Sequence, residues 1–187
     1  MKKGGIAIVV IIGVVLLALL GCGIGGYFVY NRFVKKEVTE NLAEKIVEEA
    51  IENETGDDVN VNIEGTNGEE SVHISDGDNS VDVSSGEDWP DDMPSYVPEF
   101  KYGTLTVKTK ISGDTSGEYG WSMVYESVDS DALEKYKNDL EKSGWSIETT
   151  IDTGEGKVVG ASKGEDIMTL SINSTTKIAS ISVSLKK

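Results

Sequence analysis

The stretches IMTLSIN (Ile167–Asn173) and KIASISVSL (Lys177–Leu185) decide the fold of the C-terminal half of this chain. In both, apolar and polar residues alternate, which is the period of a β-strand with one buried face. WSIETTIDT (Trp145–Thr153) and KVVGASK (Lys157–Lys163) alternate in the same way, and Gly, Asp or Asn residues separate the four stretches. Those residue types favour tight turns. The pattern therefore predicts four consecutive strands of an antiparallel sheet.

Two further strands and one helix are predicted before these four. YGTLTVKTKI (Tyr102–Ile111) and YGWSMVYES (Tyr119–Ser127) have the pattern of a strand pair. DALEKYKNDLEKSG (Asp131–Gly144) is predicted to be a helix that begins at Ser130 or Asp131 and ends at its glycine, with a Schellman ending that brings Trp145 back onto the last turn. We expect residues 101–187 to form an α+β domain with one helix on one face of the sheet. The buried helix face is predicted to consist of Leu133, Tyr136 and Leu140.

Residues 37–86 are predicted to form an amphipathic helix followed by a three-stranded meander. EVTENLAEKIVEEAIENETG (Glu37–Gly56) carries apolar residues at helical spacing. Three short alternating stretches follow, separated by Asn-Gly and Asp-Gly pairs that favour hairpin turns. His73 alternates with apolar neighbours and is interpreted as an exposed strand residue. Residues 87–100 hold all three prolines of the chain and are interpreted as a linker or an extended strap.

Residues 1–36 are predicted to be a membrane anchor that contacts the bilayer through residues 6–30. The uncharged run Ile6–Val29 would be about 36 Å long as a helix, which is enough to cross a bilayer. Under this interpretation the chain is a single-pass protein. Gly21 and Gly25 then match the GxxxG motif, a weakly specific signal for the pairing of two membrane helices.

The alternative for the same segment is a lipoprotein signal. Lys2 and Lys3 would be its basic region, Ile6–Leu20 its apolar region, and LLGC its cleavage site. Cleavage would leave Cys22 as a lipidated first residue, and a diacyl chain would hold the protein at the membrane. Both alternatives place the C-terminal domain outside the cytoplasm.

The net charge of −16 is distributed unevenly over the 187 residues. Residues 37–99 contain twenty acidic residues and a single basic residue, Lys45. A polyanionic zone repels phosphate backbones, so we expect no nucleic-acid partner. The zone is interpreted as a solvated spacer, with attraction of cations or of a basic partner surface as the alternative.

Residue types that support catalysis are scarce, since the chain has one Cys and one His. Zinc sites and serine-type triads need histidine in the folded part, so we expect no catalytic residues, no enzyme activity and no cofactor. Calcium is the one metal that the acidic stretch DGDNSVDVSSGE suits, because its oxygen side chains follow EF-hand spacing. Valine replaces the glycine that an EF-hand turn requires, so the site is predicted to be weak. Its candidate ligands are Asp76, Asp78, Ser80, Asp82 and Glu87.

The order of segments resembles a group of small membrane-anchored extracytoplasmic proteins of bacteria and archaea, which are classed as lipoproteins or as domains of unknown function. The resemblance covers nearly the whole chain and rests most specifically on WPDDMP (Trp89–Pro94) and YKNDLEKSGW (Tyr136–Trp145). It departs at SYVPEFKYG, where the group tends to carry a short Tyr-Pro-Gly turn. The resemblance implies an outward-facing domain without an assigned activity.

These observations predict a membrane-anchored extracytoplasmic protein that binds a ligand or another envelope protein. The alternatives are a calcium-binding surface or adhesion element and an envelope hydrolase. A binding module predicts an exposed apolar or aromatic patch on the sheet, whereas a hydrolase predicts a pocket with buried carboxylates.

Overall fold

Nine strands and one helix make up the part of the chain that the computed structural model describes, which is residues 59–66, 69–76, 79–113 and 118–186. All strand pairs with a defined register are antiparallel. The elements are β1 (Asn60–Thr66), β2 (Glu69–Ser75), β3 (Asn79–Ser85), β4 (Thr104–Gly113), β5 (Glu118–Glu126), α1 (Ala132–Lys142), β6 (Ser146–Asp152), β7 (Gly156–Lys163), β8 (Asp166–Asn173) and β9 (Ile178–Lys186).

The chain divides into two compact units after Val81. In the first unit, β1 and β2 form an antiparallel hairpin in which Val61 lies opposite Ile74. These two side chains and Val59 form a small buried cluster, because alternate residues of paired strands share one face. The strands predicted for the meander are present, but His73 is half-buried rather than exposed.

The second unit contains six strands in the order β4-β5-β9-β8-β7-β6. Along β8 and β9 every second side chain is buried, as the alternation in the sequence predicts. The buried side chains face α1 and form the larger apolar core with it. The helix contacts β6 and β7, so it covers one end of the inner face of the sheet.

The helix α1 begins and ends for reasons that are visible in the sequence. Leu133, Tyr136 and Leu140 recur at helical spacing and are buried against the sheet. Asp131 occupies the N-cap position without a capping hydrogen bond from its side chain. At the other end Gly144 has a φ of 81°, and the N–H of the next residue, Trp145, donates to the carbonyl of Leu140 at 3.0 Å. The predicted Schellman ending is confirmed.

The proline-containing segment 87–100 packs on the core of the second unit. Met93, Val97 and Phe100 are buried among the side chains of the sheet and helix. Two backbone carbonyls of the segment accept hydrogen bonds from core aromatic residues, since the Tyr136 hydroxyl donates to Pro98 at 2.8 Å and the Trp145 indole donates to Tyr96 at 2.9 Å. The segment is therefore a strap over the inner face.

Two predictions are corrected by this architecture. The α+β class is wrong, because the described residues form nine antiparallel strands and one short helix. That helix packs mainly on β6 and β7, and the strap supplies apolar side chains to the same core, so the described residues contain no helical layer. The prediction of a transmembrane helix is also contradicted: within the described residues no helix is long and apolar enough to span a bilayer. The segment 6–30, the predicted amphipathic helix of residues 37–56 and the Asn67–Gly68 turn lie outside the described residues.

Candidate functional site

A groove of about 540 Å³ lies at one end of the six-stranded sheet. Because neighbouring strands are antiparallel, β5, β6 and β8 run in the same direction, and their carboxyl ends lie at the same end of the sheet. The β5–α1 loop, the β6–β7 turn and the β8–β9 turn therefore meet there and form its walls. The buried side chains of Val128 and Ile172 contribute to its lining. The order and direction of the strands bring these three loops together. No local sequence motif does so.

Two residues of the groove have an unusual backbone conformation. Ser127 has a φ of 54° and Lys177 a φ of 55°, and in the described part of the chain they are the two non-glycine residues with a positive φ. This left-handed conformation costs about 1 kcal/mol per residue. The N–H of Val128 donates to the carbonyl of Lys177 at 3.0 Å and joins the two strained loops. Strained residues concentrate at ligand-binding sites, so the groove is the leading candidate site.

Side-chain caps hold the two hairpin turns of the groove. The Asn173 side-chain oxygen accepts hydrogen bonds from the N–H groups of Thr175 at 3.0 Å and Thr176 at 2.9 Å. The Asp152 carboxylate accepts the N–H of Gly154 at 2.8 Å. The two turns are also joined directly by a hydrogen bond between the Ser174 N–H and the Glu155 carbonyl at 2.8 Å. Such turns are formed before a ligand arrives, which reduces the entropy lost on binding.

The charges of the groove leave one lysine without an ionic partner. Lys157 lies 3.7 Å from the Asp152 carboxylate, and Asp129 lies 3.6 Å from the Lys135 ammonium. Among the described residues, Lys177 forms no ion pair, and its side chain is exposed in the groove. Hydroxyl and amide groups line the same space and can donate hydrogen bonds. They belong to Ser127, Ser130, Asn173 and Ser174.

The buried carboxylate of the second unit lies far from the groove. Asp166 is 8% exposed and begins β8, whereas the groove lies at the other end of that strand, about 23 Å away at 3.3 Å per residue. Its oxygens accept hydrogen bonds from the Tyr96 hydroxyl at 2.7 Å and from the Lys186 N–H at 2.9 Å. The bond to Asp166 raises the pKa of Tyr96 to about 12, because it stabilises the protonated phenol. This carboxylate holds the strap to the sheet.

The candidate calcium ligands are placed on a turn and a strand. Asp76 is half-buried, and its carboxylate accepts hydrogen bonds from the N–H of Asn79 at 2.9 Å and from its side-chain amide. Ser80 and Asp82 lie in β3, where alternate residues are about 6.6 Å apart, and Glu87 is exposed after that strand. In the described ranges no group of three or more His, Cys, Asp or Glu side chains is arranged to hold a metal ion. Four candidate residues lie outside those ranges, namely Asp78, Cys22, Gly21 and Gly25.

Sequence inspection misses the groove residues because neither strained position carries the usual signal. Glycine or asparagine is the residue expected at a positive φ, whereas this chain has Ser127 and Lys177 there. Asn173 and Asp152 do carry a recognisable signal, since their side chains cap turns two or three residues further along. That signal predicts two turns, but it does not bring them together.

No family model, curated protein or solved structure matches the chain. The resemblance to membrane-anchored extracytoplasmic proteins therefore stays a prediction.

Proposed function

We propose that this chain is an extracytoplasmic binding protein that takes a small polar ligand with an oxyanion group into the groove of the second unit. The oxyanion is a carboxylate, phosphate or sulfate, and Lys177 is its main contact. The observation that carries this proposal is the exposed side chain of Lys177, which has no ion pair among the described residues and lines the groove together with three serines.

The electrostatics of the groove support an anionic ligand. The other groove cation, Lys157, is paired with Asp152, and Asp129 shares the Lys135 ammonium with Asp131, so Lys177 is the groove cation that has no carboxylate partner among the described residues. An oxyanion at Lys177 would gain a charge-assisted hydrogen bond and further hydrogen bonds from Ser127 and Ser130. The groove also has the size that small-molecule sites have, which is roughly 300–1,000 Å³.

The same geometry favours binding over hydrolysis. An acid catalyst needs a carboxyl group whose environment stabilises the protonated form. Asp129 and Asp152 in the groove are exposed, and each lies beside a lysine. The buried carboxylate, Asp166, is bonded to the strap at the other end of the sheet.

A titration followed by NMR tests the ligand class. Succinate, inorganic phosphate and glucuronate are added separately to the ¹⁵N-labelled protein, and glucose serves as the uncharged control. At least one anion is expected to shift the amide signals of the three groove loops at concentrations up to about 20 mM, whereas glucose is not. The proposal is wrong if none of the three anions moves those signals.

A pair of charge-matched variants assigns the contact. Lys177→Gln is expected to weaken anion binding roughly 10- to 100-fold, which corresponds to the loss of one charge-assisted hydrogen bond. Lys101→Gln removes the same charge from an exposed position outside the groove and is expected to leave the affinity within about twofold. Equal losses in both variants would mean that only the net charge matters.

The proposed location outside the cytoplasm is supported by the signal-like N-terminal sequence and is tested by intact mass. We propose that the mature chain is held at the membrane by lipid on Cys22, after cleavage before that residue. Protein extracted from membranes of a host with lipoprotein processing is then expected to lack residues 1–21 and to carry acyl chains. A full-length mass without acyl chains would contradict lipidation.

A further inference from the structure

The outer face of the six-stranded sheet, which points away from α1, has a surface that neither the groove nor the core uses. Its central row crosses all six strands through successive registered pairs. The row consists of small uncharged residues only, which are Thr109, Ser122, Ser182, Thr169, Gly160 and Thr149. We call this row and its two flanking rows the outer face.

The registered residues of the flanking rows are also uncharged, and one charge adjoins them at a corner of the sheet, where the Glu148 carboxylate in the bulge of β6 accepts a hydrogen bond from the Ser162 hydroxyl at 2.7 Å. One runs from Val107 through Val124 to Ile151, and the other from Ile111 to Ile167 and Ser162. Ile151 is 50% exposed and Ile167 is 58% exposed, so apolar side chains stand between hydroxyl groups on an open surface. In the chain as a whole 27% of residues are charged. Three rows of uncharged residues, with the Glu148 carboxylate at one corner, are therefore a specific feature of this face.

We propose that the outer face binds the outer face of a second copy of this chain, so that two sheets pack face to face in a homodimer. The chain has a net charge of −16, so two copies repel one another wherever acidic surfaces approach. The outer face is a surface on which two copies can meet with little of that repulsion, since its described carboxylate, Glu148, lies at a corner, and its small side chains allow sheets to stack closely.

The area of the outer face also supports a homodimer. Six strands at about 4.8 Å spacing are about 29 Å wide, and three rows of alternate residues extend about 20 Å along the strands. Each copy then contributes about 600 Å², and a face-to-face dimer buries about 1,200 Å² in total. That area is at the lower limit for specific protein–protein interfaces.

The composition of the outer face argues against other occupants. It has no lysine or arginine in its three rows, which anionic membranes and nucleic acids would require. It also has no aromatic side chain on which a sugar ring or a base could stack. The groove lies at the end of the sheet and is not part of the outer face, so self-association does not depend on the proposed ligand.

Sedimentation velocity of the full chain in density-matched detergent tests this proposal. The wild-type protein is expected to sediment with the mass of a dimer at about 10 μM, which a micromolar interface would give. Thr169→Glu places like charges at the centre of both copies and is expected to raise the dimer dissociation constant at least tenfold. Thr175→Glu is the matched control, because it makes the same substitution at an exposed turn outside the outer face and is expected to leave the dimer intact.

Each contrary outcome overturns the proposal. A wild-type protein that stays monomeric up to about 100 μM shows that the outer face does not self-associate with useful affinity. A Thr169→Glu protein that remains as dimeric as the control shows that copies meet elsewhere. Circular dichroism confirms that the variant is folded, and Ser182→Glu on the neighbouring strand repeats the test at a second position of the central row.

Discussion

Replacing Asp166 by alanine is the sharpest test of how the strap is held to the sheet. The carboxylate is 8% exposed and accepts one hydrogen bond from the Tyr96 hydroxyl at 2.7 Å and one from the Lys186 N–H at 2.9 Å. A hydrogen bond to a charged group contributes about 1.5–3 kcal/mol. Because water can reach part of the vacated site, we expect a loss of about 3 kcal/mol in the free energy of unfolding rather than the full sum of both bonds.

A double-mutant cycle shows whether the carboxylate acts through Tyr96. In Asp166→Ala the tyrosine hydroxyl is left without its acceptor, whereas in the double variant with Tyr96→Phe no hydroxyl remains to be paired. The double variant is therefore expected to be more stable than the sum of the two single losses predicts, by about 1 kcal/mol.

Urea unfolding followed by tryptophan fluorescence measures these differences. Trp145 is a suitable reporter, since its indole donates to the Tyr96 carbonyl and its ring lies 6.4 Å from the Tyr96 ring. A loss of about 3 kcal/mol also lowers Tm by on the order of 10 °C in a unit of this size. The reasoning is refuted if Asp166→Ala loses less than about 0.5 kcal/mol, or if the two substitutions are additive.

Three further predictions concern the sheet, alkaline pH and calcium. Gly120→Ala is expected to lower the free energy of unfolding in urea by about 1–3 kcal/mol, because its Cβ would lie 2.8 Å from the Val183 carbonyl oxygen. Gly160→Ala is the control: its Cβ would make only ordinary contacts, and its free energy of unfolding is expected to stay within about 0.5 kcal/mol of the wild-type value. The hydrogen bond to Asp139 raises the pKa of Tyr102 to about 12, so the folded state holds that proton more tightly than the unfolded state. The stability of the wild-type protein is therefore expected to fall between pH 10 and pH 12. Tyr102→Phe is expected to lose less stability in that window, and a pH profile identical to that of the wild type would contradict this. Millimolar calcium is expected to raise Tm reversibly with chelator if the acidic stretch binds it, and an unchanged Tm rules the site out.

Local patterns in the sequence account for the individual elements of the second unit. The strict alternation in β8 and β9 arises because successive strand residues point to opposite faces, and one of those faces is buried. The end of α1 is equally local, since Gly144 adopts a positive φ at low steric cost and Trp145 follows it. Both features depend on residues a few positions apart, which is why inspection of the chain predicts them.

The predicted α+β class is wrong because α1 does not form a helical layer over the six-stranded sheet. An 11-residue helix is too short to cover six strands, and it packs mainly on β6 and β7. The strap adds Met93, Val97 and Phe100 to the same core. A proline-containing segment of this kind resembles a linker in the sequence. Its hydrogen bonds to Tyr136 and Trp145 join residues that are 38 and 49 positions apart, so the local pattern does not reveal them.

The sequence by itself determined which segments are strands, where α1 ends and that the chain is strongly acidic, since each of these depends on neighbouring residues or on composition. Only the tertiary structure decided the groove and the outer face. The order β4-β5-β9-β8-β7-β6 brings Ser127 beside Lys177, and the strand register aligns Thr169 with Ser182. The physical reason is that strand order and register are set by long-range burial and pairing, which the local pattern of any one strand does not contain.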